Sequence, residues 1–245
     1  MHHRETFDTT VPFGEPELTR ASSYLRYLHD LDADASRRGA GQRLSSLSPS
    51  LQADLQRFEQ QDGGSELLEV VAACLRHAKP VTIHLQCGER VLPLSVFAHE
   101  RLVQCPMDLD ELADKHLGGV QVMHVEAAVL DTGIDTGSRC RPLAPLLWAL
   151  ALRGTRRELL PEIGGPAVYR VAPTLADQRV PVRGALLASL RRLRLQPASL
   201  RELSDWPGMD RERASRLLNA LYLQASLIVS RAHPEAMRDS WFRAA

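Results

Sequence analysis

Lysine is nearly missing from this chain. Only Lys79 and Lys115 occur, so 28 of the 30 basic residues are arginine. The base composition of a GC-rich bacterial genome is sufficient reason for that bias. Net charge is also missing, because 30 acidic residues balance the 30 basic ones. That excludes the chain as a whole from acting as a strong polyanion binder, while leaving room for a local patch. There is no run of about 18 apolar residues, so no membrane-spanning helix is expected. The opening stretch MHHRETFDTTVPFGEPEL has no apolar segment, so a signal peptide is not expected either. The four cysteines (Cys74, Cys87, Cys105 and Cys140) form no CxxC pair. Without a secretion signal they read as reduced thiols in a cytoplasm. No GxGxxG, no P-loop and no GxSxG elbow is present. Gly164-Gly165 runs straight into Pro166 and reads as a loop rather than a phosphate cradle.

What is there belongs to a folded chain. Hydrophobic residues make up 44% and charged residues 24%, the mixture of an ordinary folded protein. The 245 residues suit one large domain or two small ones. Residues 1–48 read as an irregular arm, a short helix carrying Tyr24, Leu25, Leu28 and Leu31, and a Ser/Gly/Arg linker. Residues 49–180 read as an α/β domain. Ser48-Pro49-Ser50 opens a helix with Leu51, Leu55 and Phe58 on one face. Ser65 is placed to cap the next helix, whose stripe is Leu67, Val70, Val71, Cys74 and Leu75.

Val81, Ile83 and Leu85 then alternate with Thr82, His84 and Gln86, as in a half-buried strand. Gly88-Glu89 turns the chain into a hairpin partner, Leu92, Leu94 and Val96. Pro93 lacks a ladder donor, so that partner is expected at an edge or beside a bulge. Leu102 to Cys105, a helix capped by Asp108, and a strand from Val120 follow. After the polar loop 131–141, Pro142 opens an apolar helix that Gly154 ends. Residues 181–245 turn helical: 185–195, a short helix with Ser199 and Glu202 in capping-box spacing, and a third helix capped by Asp210. Leu227 to Val229 then read as a strand. The fold class expected is therefore α/β (α+β), a small mixed or antiparallel sheet with helices, followed by a helical winged-helix-like domain.

The block 65–126 resembles the PATAN domain, which stands at the N-terminus of PatA-type bacterial signalling proteins. The residues carrying the likeness are Leu67-Leu68, Val91 to Phe97, Glu100-Arg101-Leu102-Val103-Gln104-Cys105, Leu109 to Leu112, and Gly119 to Glu126. The family's Asp-Gly turn before its "RLV" strand is here Ala98-His99-Glu100. The resemblance implies a non-catalytic regulatory or adaptor role in a bacterial signalling pathway, exerted through protein–protein contacts.

Asp131-Thr132-Gly133 and Asp135-Thr136-Gly137 look like the active-site turn of aspartic proteases. That chemistry needs two facing carboxylates, which turns so close in one chain cannot supply. A homodimer giving one Asp131 from each copy would be required, and a polar loop is the alternative reading. His84 and Cys87 fall on opposite faces of a strand, and Cys105, His116, His124 and Cys140 show no ligand spacing. No catalytic residue, cofactor site or metal site is therefore assigned. Trp206, Tyr222, Trp241 and Phe242 are candidates for contact with a protein partner, with a core anchor as the second reading of Trp206. A homo-oligomer is compatible with that reading.

The rival function is a DNA-binding transcription regulator. Residues 183–245 hold 11 Arg against 6 acids. Arg211, Ser215, Asn219 and Tyr222 share one side of the third helix, with Arg216 beside them, and could read a major groove. Arg191, Arg192 and Arg194 could touch phosphates.

Overall fold

A computed structural model describes residues 19–38, 47–59, 66–128, 140–173 and 181–231. Strand β1 (Thr19–Arg20) takes up the end of the expected arm, and helix α1 (Ala21–Arg38) is the expected short helix, running on into the expected linker. Helix α2 (Pro49–Glu59) begins at its proline, which has no N–H to leave unpaired. Helix α3 (Leu67–His77) is N-capped by Glu66 without a side-chain bond; Ser65, the expected cap, lies outside the described residues.

Strands β2 (Val81–Cys87) and β3 (Arg90–Phe97) form the expected hairpin, in register from Val81 opposite Val96 to Cys87 opposite Arg90. Gly88 takes a φ of 62°, the left-handed conformation that this tight turn requires. Strand β4 (Leu102–Gln104) follows. Helix α4 (Leu109–Glu111) runs on into a π-helical turn, Leu112–His116. The Asp108 side chain accepts from the Asp110 N–H at 2.9 Å, as a cap should. Strand β5 (Gln121–Ala127), strand β6 (Cys140–Pro142) and helix α5 (Leu143–Arg153) complete the first half.

These strands form one antiparallel sheet in the order β5-β2-β3-β4-β6, with β1 also paired to β3. The mixed α+β class is thus that of the structure. The placement of Pro93 differs from expectation in an instructive way. Strand β3 is central rather than an edge. Its second side, however, is paired only at Arg90 and Val91 by β1 and at Ser95 to Phe97 by β4. Pro93 sits in the interval between, where β3 is locally an edge among the described residues. A bulge lies on the other side of the hairpin: His84 faces His124 and Leu85 faces Val122, so Met123 is the extra residue.

Burial follows the alternation. Val81, Ile83, Leu85, Leu94 and Val96 are fully buried with Val70, Val71 and Cys74 of α3 and Leu146 and Leu147 of α5. Removing a side chain of that size from water is worth about 1.5–3 kcal/mol. The opposite face of the sheet has a small apolar cluster of its own, where Ala21 and Tyr24 of α1 pack with Val91.

After a single 3₁₀ turn, Pro161–Ile163, come strand β7 (Val168–Val171) and helix α6 (Gly184–Leu195). Strand β8 (Ala198–Ser199), helix α7 (Leu200–Ser204), helix α8 (Arg211–Leu223) and strand β9 (Leu227–Ser230) end the described chain. The capping box forms: Ser199 N–H donates to Glu202 Oε2 at 2.7 Å, and Glu202 N–H donates to Ser199 Oγ at 3.3 Å.

The second sheet has the order β8-β7-β9, all antiparallel. The boundary expected at 180/181 therefore cuts through it, because β7 precedes that point and its partners follow it. No break in the core marks the boundary either. Helix α8 packs on α5, and Leu217, Leu218 and Leu221 belong to the same apolar cluster as Leu143 to Leu147. Arg101, at a φ of 58°, ties the halves together by donating to the Leu223 carbonyl at 3.1 Å and to Gln224 Oε1 at 3.3 Å. Gln224 in turn donates to the Ala144 carbonyl at 2.8 Å.

Tyr169 offers a direct probe of this junction. It is fully buried, and its hydroxyl donates to the Ile163 carbonyl at 2.6 Å. Tyr169→Phe should cost about 1–2 kcal/mol by stranding that carbonyl. A thermal melt should show Tm lower by a few degrees. An unchanged Tm would mean the bond adds nothing.

Candidate functional site

Polar side chains of different kinds converge at one place, where α2 packs on α3. Ser50 and Asp54 are one helical turn apart on α2 and share a face. Arg76 and His77 end α3, where the Arg76 charge suits the helix dipole. Ser50 Oγ lies 3.3 Å from His77 Nδ1, and His77 Nε2 lies 2.8 Å from Asp54 Oδ2. Arg76 donates to the same carboxylate oxygen at 2.7 Å and also pairs with Glu162 in the 3₁₀ turn. Ser50 is exposed, whereas the His77 and Asp54 side chains are only 18% and 14% accessible. Ser48 Oγ stands 3.4 Å from Ser50 Oγ.

Burial works against ionisation of Asp54, but the hydrogen bonds from His77 and Arg76 and the Arg76 charge outweigh it. Together they hold the carboxyl below its ordinary range. A lowered carboxyl contributes stability above its unfolded-state pKa and loses it as pH falls through the folded value. The α2–α3 contact is thus expected to hold through mild acid and to weaken only as the pH falls below the ordinary carboxylate range.

Sequence reasoning missed this cluster. Its only sequence signals are a Ser/Asp pair one turn apart and a histidine at the end of another helix. Neither says that the two helices touch.

The residues expected to read DNA are not arranged for it. Ser215 and Asn219 are 1% and 0% exposed, so the expected outward row does not exist. The reason is that α8 lies in the middle of the molecule, with α5 on one side and α6 and α7 on others. Ser215 Oγ donates to the Arg211 carbonyl at 2.8 Å. Asn219 accepts from the Leu160 N–H and donates to the Glu158 carbonyl, both at 2.9 Å. Arg216 donates to Glu212 and to the Gly154 carbonyl, each at 2.9 Å, which closes the end of α5. Arg191 and Arg211 are exposed, and Arg194 is half-buried.

Of the partner-contact candidates, Trp206 is a buried anchor rather than a surface residue. It is 9% exposed, with the Arg192 guanidinium 4.3 Å from its ring centre. Tyr222 is half-buried, and burial first, then the Glu162 charge, pushes its phenol up. Trp241, Phe242 and Asp131 lie outside the described residues.

The four cysteines are free thiols. Burial pushes Cys74 up to about 12 and Cys105 to about 11, so both are weak nucleophiles. Among the described residues, no group of three His, Cys, Asp or Glu side chains converges on a metal position, and no helix is long and apolar enough to cross a membrane. A cleft of about 250 Å³ opens at the start of α3 beside Gly118-Gly119, with Glu66 in its wall. That carboxylate makes it a poor place for an anion.

A different kind of surface lies on the far side of the main sheet. Strand β5 is its last strand, and among the described residues nothing pairs with its outer edge. Tyr24 of α1 stacks on His84, ring centres 5.0 Å apart, and His84 Nε2 lies 3.0 Å from Glu126 Oε1 on β5. Tyr27, beside Tyr24, and Leu25 are exposed by 55% and 52%. Helix α1 thus lies over the sheet face that leads to this open strand edge, with Leu25 and Tyr27 exposed on it.

No family model matches the chain, and no curated protein or solved structure shows significant similarity to it.

Proposed function

We propose that this is a cytoplasmic bacterial regulatory or adaptor protein that works through protein–protein contacts, with β5 and α1 as its contact surface. The observation that carries the reading is the open edge of β5, joined through Glu126, His84 and Tyr24 to helix α1, on which Leu25 and Tyr27 are exposed. An edge strand offers a partner main-chain hydrogen bonds, and apolar neighbours add selectivity. The likeness of residues 65–126 to the PATAN domain supports the signalling setting. Binding to duplex DNA has less support, since Ser215, Asn219 and Arg216 are engaged inside the molecule.

The test is capture from native bacterial lysate by immobilised protein, comparing the natural chain with Leu25→Glu/Tyr27→Glu. Hot-spot losses of about 2 kcal/mol or more per anchor predict at least tenfold weaker retention of a captured protein by the double variant. Equal capture by both chains would remove α1 from the contact surface. Retardation of duplex DNA that weakens steeply with salt and with Arg211→Ala would favour the DNA reading instead.

A further inference from the structure

The contact between α2 and α3 goes beyond a docking role. From the order Ser50, His77, Asp54 we infer that Ser50 is an activated nucleophile able to take an acyl group from a small ester and pass it to water. The parts are those such a step needs: a nucleophile, a base within hydrogen-bond reach, and a third group that orients the base. Nε2–H of His77 donates to Asp54 at 2.8 Å. In that tautomer Nδ1 turns its lone pair to Ser50 Oγ, 3.3 Å away. Asp54 is itself fixed by Arg76 at 2.7 Å, so the ring is held from behind. Ser50 stands in the first turn of α2, where the helix dipole presents its positive end to an incoming carbonyl oxygen. It is exposed, so a substrate can reach it.

The step balances as follows. Ser50 Oγ bonds to the ester carbonyl carbon while its proton moves to His77 Nδ1. The bond from that carbon to the leaving oxygen breaks, and the alcohol departs with the proton from His77. Water then attacks the acyl-Ser50 ester, giving its proton to His77, and the acid leaves as the proton returns to Ser50. The net reaction is ester plus water to acid plus alcohol. Ser50 is exposed and lies outside the clefts at the start of α3 and beside Trp206, so the probe chosen carries a short acyl group, acetyl.

The experiment uses the full chain with p-nitrophenyl acetate and, separately, a fluorophosphonate. Expected results are hydrolysis at least tenfold above that of Ser50→Ala, and a fluorophosphonate adduct that peptide mass spectrometry places on Ser50 rather than on neighbouring Ser48. His77→Gln should lower both by about a hundredfold, the scale of general-base assistance. Should that variant fold poorly, Ser50→Ala still decides, because Ser50 is exposed and its loss should leave the thermal melt unchanged. Hydrolysis equal in the natural chain and Ser50→Ala, or an adduct spread evenly over Ser48 and Ser50, would overturn the inference.

Discussion

Arg156→Ala is expected to lose about 3–5 kcal/mol of stability at neutral pH, the usual cost of stranding a buried charge. The charge is Glu69, whose side chain is 5% exposed in the first turn of α3. Arg156 pairs with Glu69, donates to Glu66 at 3.2 Å and donates to the Leu159 carbonyl at 3.0 Å. One guanidinium therefore serves both carboxylates at the entry to α3 and the chain leaving α5.

The pH dependence gives the prediction a second, sharper form. Burial pushes the Glu69 carboxyl up; Arg156 opposes this, and the charges of Glu66 and Glu162 add to it. Removing Arg156 removes the opposition, so the carboxyl rises further. A group whose folded pKa is raised contributes stability below its unfolded pKa and loses it as pH rises through the folded value. The gap between Arg156→Ala and the natural chain should therefore be widest near neutrality and shrink toward pH 4. Asp54 weakens both proteins alike on acidification and cancels from the difference. Urea denaturation at the two pH values measures it. A gap that is constant, or larger in acid, would show that Glu69 is not the stranded group.

Asn219→Leu should cost about 2–5 kcal/mol, although it replaces a polar residue by an apolar one of similar size inside an apolar core. Its buried amide closes the Leu160 N–H and the part-buried Glu158 carbonyl, where the chain lies against α8. Each buried backbone group left without a partner costs about 1–3 kcal/mol. Arg211→Ala, on the exposed end of the same helix, should stay within about 0.5 kcal/mol. Chemical denaturation of the two variants compares them directly. Equal effects would mean that Asn219 is not the internal tie that its geometry describes.

The contrast between Asn219 and Arg211 shows what a sequence can and cannot state. Period-two alternation located β2 and β3 because burial on one face writes itself into every second residue. Short-range chemistry was also legible: the Ser199–Glu202 box, the Asp108 and Asp210 caps and the stop at Gly154 involve neighbours in the chain. Helix α8 misled because its spacing was read as one buried face and one wet one. The second face is covered by α5 and by residues 158–160, which lie far away in sequence. The same limit hid Ser50, His77 and Asp54, whose meeting depends on how α2 rests on α3. For strand β7, nothing local told that its neighbours lay beyond position 181.

That strand also sets an order of events in the making of the protein. The middle member of the small sheet leaves the ribosome before both of its flanks. At about 5–20 residues per second, Val168 to Val171 wait some seconds with both backbone edges unpaired. Until Leu227 to Ser230 arrive, nascent chains crowded on one message present one another with the same vacant ladder.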